Sequence, residues 1–251
     1  MRWTGSRLVV ATVTALALSA CGADPAEPAA AAGQAKVTPS ATTSTADPAA
    51  EVEPLLAAAL PADKAVGMRR DAKFEAANTA RGITAPTVFQ CRTAPKSEAL
   101  RVSRVARAWM TPGWTSGNGR QVYATLELVA YRPGGTKAAV ADLAAVPKTC
   151  PSLIDANGAE RTHEEFPGDV FTRMGAAAVL ATLKHDNGTT EYELSVALPG
   201  SGRVLGMLMV RGTDSDDLVA AARLLLRQTR VAVSGVTPKV DAALEAASTA
   251  A

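Results

Sequence analysis

A strand, a turn, a helix and a cysteine follow one another within residues 120–150, and no other stretch constrains the fold as strongly. Successive side chains of a strand point to opposite faces, so residues 121–131 have one aliphatic face and one mixed face. The aliphatic face consists of Val122, Ala124, Leu126, Leu128 and Ala130. The mixed face consists of Tyr123, Thr125, Glu127, Val129 and Tyr131. This alternation predicts a sheet strand that is buried on at least one side.

A turn and a short helix come directly after this strand. The Pro-Gly-Gly sequence at 133–135 is a turn signal, and apolar residues return at helical spacing behind Thr136, a suitable N-cap. Pro147 predicts the end of that helix, because proline in a helix interior removes a backbone hydrogen bond. Cys150 follows three residues later.

The second half of the chain carries a hairpin signal. The Asp-Asn-Gly sequence at 186–188 lies between strand-like runs at 176–184 and 189–198. Asn and Gly tolerate positive φ, which tight hairpin turns require. A further run at 203–211 is apolar on both faces, as expected for a strand that is covered on both sides.

A helix is predicted after the last strand. Thr213 or Asp214 is its candidate N-cap, acidic residues occupy its first turn, and arginines occupy its later turns, which complements the helix dipole. We place the domain at residues 54–236, followed by an Ala-rich tail at 237–251 that is frayed or weakly helical.

The first part of the domain has weaker patterns. Residues 55–79 predict one or two helices, and residues 99–110 fit a strand better than a helix. Arg101, Arg104 and Arg107 in the latter segment are consistent with a ligand-binding face or a solvated one, and we favour the solvated face.

The N-terminus is typical of a lipoprotein signal peptide. Two arginines precede an apolar run at 8–18 that is too short to span a membrane as a mature helix. The Leu-Ser-Ala-Cys sequence at 18–21 resembles a bacterial lipobox, whose cysteine receives a diacylglyceryl group before the chain is cut there. We predict that residues 1–20 are removed and that Cys21 is lipidated, with acyl chains such as palmitate providing stable anchoring. A soluble secreted protein with an incidental cysteine is the alternative.

Cleavage would leave a nearly neutral chain and a long tether. The full chain has 26 basic and 24 acidic residues, and loss of Arg2 and Arg7 leaves 24 of each. This balance does not indicate a nucleic-acid partner. Residues 21–53 are dominated by Ala, Thr, Ser, Pro and Gly and predict a disordered linker, because they bury too little apolar surface to offset ordering. The Ser/Thr cluster at 38–45 is either O-glycosylated or simply disordered.

Candidate catalytic and metal sites are few. The two histidines, His163 and His185, have no second ligand at a useful spacing, so we predict neither a metal site nor a cofactor. The Gly-Ser-Gly sequence at 200–202 lies between predicted strands and indicates a turn, not a nucleophile elbow. We therefore predict a protein that is not an enzyme, with a hydrolase as the least favoured alternative.

The order of these features resembles the PknH-like extracellular sensor domains of actinobacteria. The shared features are a lipobox, a low-complexity tether, a strand at 121–128 between two cysteines, an Ala-rich helix, then a hairpin, a strand and a C-terminal helix. The resemblance covers residues 54–231. It implies an α+β fold, an α/β sandwich whose central, mainly antiparallel sheet is flanked by helices, with a cleft for an unidentified ligand. Pro147 stands where the family often has tryptophan.

The resemblance also implies a disulfide between Cys91 and Cys150. The same pair follows from export to an oxidising compartment, since the third cysteine, Cys21, is predicted to carry lipid.

The mixed face of residues 121–131 is the predicted binding surface. Tyrosines beside a carboxylate suit a partly wet recognition surface, so we expect Tyr123, Glu127 and Tyr131, with Trp114 on the preceding loop, to border the cleft. The alternative, which we favour, is that a helix covers this face and the tyrosines form hydrogen bonds at its margin.

These observations predict a monomeric lipoprotein on the outer face of the cell membrane. Its domain would bind or sense an unknown small molecule or envelope component. A structural or chaperone-like envelope protein that binds a polymer or another protein is the alternative.

Overall fold

Strands of one antiparallel sheet form the centre of the computed structural model, which describes residues 47–63, 67–73, 75, 87–88, 94–111, 122–154, 158–166 and 176–249. These residues belong to one compact unit, Ser44–Ala251. The described strands are β1 (Arg69–Arg70), β2 (Arg101–Thr111), β3 (Val122–Tyr131), β4 (Ser152–Ile154), β5 (Glu160–Glu165), β6 (Ala177–Lys184), β7 (Thr190–Pro199) and β8 (Val204–Gly212). They lie in the order β1-β2-β3-β8-β7-β6-β5-β4.

Helices cover both faces of this sheet. The described helices are α1 (Pro48–Ala59), a short 3₁₀ helix (Lys96–Leu100), α2 (Gly135–Thr149) and α3 (Ser215–Thr249). α1 and α3 pack against one another and against one face, which we call the α1/α3 face, and α2 packs on the other, the α2 face. The predicted α+β fold with a central antiparallel sheet flanked by helices is therefore confirmed.

The strand β3 lies inside the sheet and faces both cores. Its predicted aliphatic face lies in the core beneath α1 and α3. On the opposite face, Val129 and Tyr131 belong to a second core, which α2 closes with Leu143 and Val146. The two-sided β8 behaves as predicted, because Leu208 contacts the first core and Leu205 the second.

The helix α1 begins inside the predicted linker, so the domain boundary at residue 54 is wrong. Asp47 caps the helix by accepting a hydrogen bond from the Ala49 amide at 3.0 Å, and Pro48 occupies its first turn. Val52 and Leu56 are fully buried. Burial against α3 orders a segment whose own composition favours disorder.

The helix α3 continues to Thr249, so the predicted domain boundary at residue 236 is also wrong, and of the two predictions for the tail the helical one is correct as far as that residue. Val240 and Leu244 are buried, and the Asp241 carboxylate accepts a hydrogen bond from the Arg203 amide at 3.1 Å. These contacts fix the last turns, which helix propensity alone would leave frayed.

Two further local predictions are corrected. Pro147 lies inside α2, which ends at Thr149, and the Cys150 amide still reaches the Val146 carbonyl at 2.8 Å. A proline this close to a helix end removes a single backbone hydrogen bond, so the helix continues past it. Arg69 and Arg70 form β1 within the predicted helical segment, because they pair with Met110 and Trp109 of β2.

Candidate functional site

The part of the α2 face next to β2 holds a group of buried ionisable side chains. Tyr131 marks one end of it and is completely buried. The first turn of α2 lies so close to the ring that a Cβ on Gly135 would come within 2.5 Å of the Tyr131 Cβ. Tyr131 is therefore a core residue, and its predicted place on a wet surface is wrong.

Glu127 lies four residues earlier in β3, near Arg104 of the neighbouring strand. The Arg104 Nη1 is 3.6 Å from the Glu127 Oε2, and the two side chains are only 10% and 14% exposed. That Oε2 makes no hydrogen bond. Burial raises the pKa of Glu127 to about 7, although Arg104 and Arg101 favour its charged form.

Glu98 on the 3₁₀ helix adds a second carboxylate to this region. Its Oε2 lies 3.0 Å from Nη1 of Arg101, and its Oε1 accepts a hydrogen bond from the Thr87 amide at 2.7 Å. The buried hydroxyl of Tyr131 lies near Thr87 without completing a hydrogen bond. Burial raises the pKa of Tyr131 well above its ordinary value.

These contacts bring together six residues, which we call the Glu127 cluster: Thr87, Glu98, Arg101, Arg104, Glu127 and Tyr131. Sequence reasoning favoured a solvated face for Arg101 and Arg104, and this is wrong because both are nearly buried in ion pairs. The only local signal was the three-residue spacing between Glu98 and Arg101.

Arg107 has a different role on the opposite face of β2. Its guanidinium donates hydrogen bonds to the Leu60 carbonyl at 3.3 Å and the Pro61 carbonyl at 2.8 Å. Trp109 is also buried on that face, where its Nε1 donates to Asp63 at 3.2 Å. These two side chains hold the segment after α1 and do not border the Glu127 cluster.

The remaining predicted residues are dispersed. Tyr123 is half-buried and pairs in register with Arg211 of β8, four residues along β3 from Glu127. A spacing of four strand residues corresponds to about 13 Å. Trp114 lies outside the described residues. Tyr131 lies equally far from Glu127 in the other direction along β3, but both of these residues interact with the charges of Glu98 and Arg101, whereas Tyr123 lies beside Arg211.

A second polar strip runs across that far part of the α2 face. Arg161 of β5 contacts Glu193 of β7 at 2.5 Å, and Arg211 contacts Glu191. Burial disfavours the charged form of Glu191, but the hydrogen bond and charge of Arg211, together with His185, outweigh it and lower the pKa of this carboxyl. The strip consists of mutually paired charges.

His163 is a structural residue in this geometry. Its ring is buried, and Nδ1 lies 2.7 Å from the Cys150 carbonyl oxygen, to which it must donate. Burial lowers the pKa of His163 and favours the neutral ring. Among the described residues, no group of three or more His, Cys, Asp or Glu side chains is arranged to hold a metal ion.

Cys150 itself is disulfide-bonded. Cys21 and Cys91 are the chain's other cysteines, and both lie outside the described residues. The Cys91 pairing and the lipidation of Cys21 thus stay predictions.

Comparison of the chain with protein-family models, with curated proteins and with solved structures gives no match. Within the ranges that the structure describes, no helix has the length and apolar character needed to cross a membrane.

Proposed function

We propose that this chain is a lipid-anchored extracytoplasmic domain that binds or senses a small polar molecule at the Glu127 cluster and performs no catalysis. One observation carries the proposal. Glu127 has a buried carboxylate oxygen without a hydrogen bond, and the buried hydroxyl of Tyr131 in the same cluster is also unsatisfied. Such groups are rare in folded proteins, because each loses its hydration without replacement.

The chemistry of the cluster indicates the kind of ligand. A carboxylate oxygen accepts hydrogen bonds, a tyrosine hydroxyl donates and accepts, and the nearby guanidinium groups donate. A ligand with adjacent O–H or N–H groups would satisfy Glu127 Oε2, and an acceptor on the same ligand would satisfy Tyr131. Polyhydroxy compounds and amides combine both functions.

The proposed location rests on the N-terminal sequence. The lipobox-like residues 18–21 would place two acyl chains at the start of the mature protein. The helix α1 begins at Pro48, well after the predicted anchor at Cys21 in the sequence. The resemblance to actinobacterial sensor domains supports the same arrangement of anchor, tether and binding domain.

The decisive experiment is native mass spectrometry of the full chain extracted from the membranes of its own host. We expect an intact mass with a lipidated Cys21 at the N-terminus and a small molecule retained by the domain. Glu127→Gln and Tyr131→Phe change one functional group each without changing side-chain size, and both variants should lose the molecule. Glu164→Gln, at an exposed position of β5, should retain it.

Two results would overturn the proposal. One is a wild-type protein that carries no small molecule and shows no thermal stabilisation across a panel of polyols, amides and sugars. The other is a retained molecule whose occupancy is the same in all three variants, which would place its site elsewhere.

A structural or chaperone-like envelope protein is the second candidate. Such a protein would need a continuous exposed apolar patch. Among the described residues the large exposed apolar side chains are Ile154 on β4 and Val231 on α3, which lie on different elements. The binding function is therefore the better supported of the two.

A further inference from the structure

An apolar groove runs between α1 and α3, on the side of the sheet opposite the Glu127 cluster. Its volume is about 310 Å³, and its walls include Leu55 and Ala59 of α1 and Val231, Gly235 and Val236 of α3. This volume is at the small end of the range of about 300–1,000 Å³ that is typical of small-molecule sites. Val231 is 70% exposed at the groove, so the groove is accessible from solvent.

Gly235 has no structural reason to be a glycine. It lies in the interior of α3, where glycine weakens a helix relative to alanine. Its φ is not in the left-handed region, and a Cβ built there would have no neighbour within 4 Å. By contrast, a Cβ on Gly206 of β8 would come within 2.4 Å of Thr229. Because Gly235 has no side chain, this part of the groove is open space.

One charged residue, Lys239, lines the groove. It makes no ion pair among the described residues, and it lies one helical turn after Gly235. The exposed surface of α3 on the preceding turns carries Arg223, Arg227 and Arg230, which also lack ion pairs within the described ranges. An apolar groove whose lining includes an ammonium group without an ion pair is complementary to a linear hydrocarbon chain with an anionic head.

We propose that this groove binds the hydrocarbon chain of a monomeric fatty acid, with the carboxylate at Lys239. A second copy of the chain is a poorer fit, because a helix with its side chains is about 10 Å wide. A stable interface would also need about 1,000 Å² or more of buried surface, far more than this groove offers. The site is independent of the Glu127 cluster and of the function proposed there.

The test is calorimetric titration of the full chain carrying Cys21→Ala, so that no anchor lipid competes. The probes are octanoate, decanoate and dodecanoate below their micelle concentrations. We expect affinity to rise about twofold to fourfold with each added methylene until the groove is full. A flat response to chain length would overturn the proposal.

Two variants locate the site. Gly235→Leu should fill the groove and weaken decanoate binding about tenfold or more, since it occupies the space of at least two methylenes. Ala242→Leu adds the same side chain at an exposed position of α3 outside the groove lining and should bind as the wild type does. Equal affinity in both variants would overturn the proposal, once circular dichroism shows that both are folded.

The head group is tested with Lys239→Met, which keeps the apolar part of the side chain. The affinity for decanoate should fall about twofold to fivefold, as expected for the loss of an exposed ion pair, and the affinity for 1-decanol should not change. An unchanged affinity for decanoate would contradict the assignment of Lys239.

Sedimentation measures the oligomeric state as a last check. If the wild type is a dimer that Gly235→Leu dissociates, and decanoate does not bind, the groove is an interface between copies and the proposal is wrong.

Discussion

Glu127 is an ionisable residue in an environment that disfavours its charged form. It lies on a strand between two cores, 14% exposed, with one carboxylate oxygen unsatisfied and Arg104 3.6 Å away. The guanidinium groups of Arg104 and Arg101 do not offset the loss of hydration on burial, so the pKa of Glu127 rises to about 7. The protein thus holds a carboxyl group that titrates near neutral pH inside its fold.

This raised pKa makes folding stability depend on pH. The folded protein keeps the Glu127 proton up to about pH 7, whereas the unfolded chain releases it near pH 4.5. Stability from this group is therefore fully present below pH 4.5 and is lost as the pH rises towards 7. The loss is on the order of 3 kcal/mol at most, and less if water reaches the side chain.

Urea unfolding from pH 4.5 to pH 8 measures this effect. Glu127→Gln mimics the protonated form, so we expect it to be more stable than the wild type above pH 7 and to lack this part of the pH dependence. His163 contributes in the opposite direction, because its lowered pKa favours folding above pH 6.5 and costs stability as the pH falls. Both proteins keep His163, so their difference isolates Glu127. If the free energy of unfolding changes with pH in the same way in the wild type and in Glu127→Gln, the pKa of Glu127 is not raised.

At the scale of elements, α3 packs on β8 and on the turn before it at distances that only glycine permits. A Cβ on Gly206 would lie 2.4 Å from Thr229, and one on Gly202 would lie 2.0 Å from Asp241. The long helix therefore has a fixed position over the sheet. Its N-terminus is equally well defined, since the Asp214 carboxylate accepts hydrogen bonds from the amides of Asp216 and Asp217.

Two glycine-to-alanine variants separate close packing from helix propensity. Gly206→Ala should lower the free energy of unfolding by about 1–3 kcal/mol, because the new methyl group overpacks the helix–sheet contact. Gly235→Ala should raise it by about 0.5–1 kcal/mol, because nothing opposes the methyl group and alanine favours the helix. Chemical denaturation of both against the wild type gives the comparison. Similar changes for the two variants would show that α3 does not approach β8 as closely as described.

At the scale of the whole molecule, a disulfide at Cys150 follows the end of α2, next to the edge strand β4, which pairs with β5. The carbonyl of the same residue accepts the hydrogen bond from His163. A bridge from here to the predicted partner Cys91 would connect the sheet and α2 to the segment before β2.

Removal of this bridge should be strongly destabilising. A Cys91–Cys150 bridge closes a loop of about 59 residues, for which the loss of loop entropy in the unfolded chain corresponds to about 4 kcal/mol. We expect Cys91→Ser, Cys150→Ser and the double variant to have nearly the same, lower free energy of unfolding. The measurement is denaturant unfolding of all four proteins. Additive losses in the double variant would mean that the two cysteines are not partners.

Local sequence patterns determined much of the sheet and its helices. The two faces of β3, the strand β2, the hairpin between β6 and β7 and the start of α3 were all predicted from period, turn residues and caps. Each of these signals acts over a few residues, so it needs no knowledge of the rest of the molecule. The anchor at Cys21, the Cys91 partner and the role of Trp114 remain predictions that lie outside the described residues.

Tertiary structure alone decided the rest. α1 starts at Pro48 and α3 runs to Thr249 because each buries apolar side chains against the other, which neither segment signals by itself. The Glu127 cluster depends on the register of β2 and β3, which places Arg104 diagonally across from Glu127. Burial beneath a neighbouring helix then converts the mixed face of one strand into a core at Tyr131 and a candidate site at Glu127. Register and burial are properties of the assembled sheet, which is why the sequence identified the strand but not the residues that meet upon it.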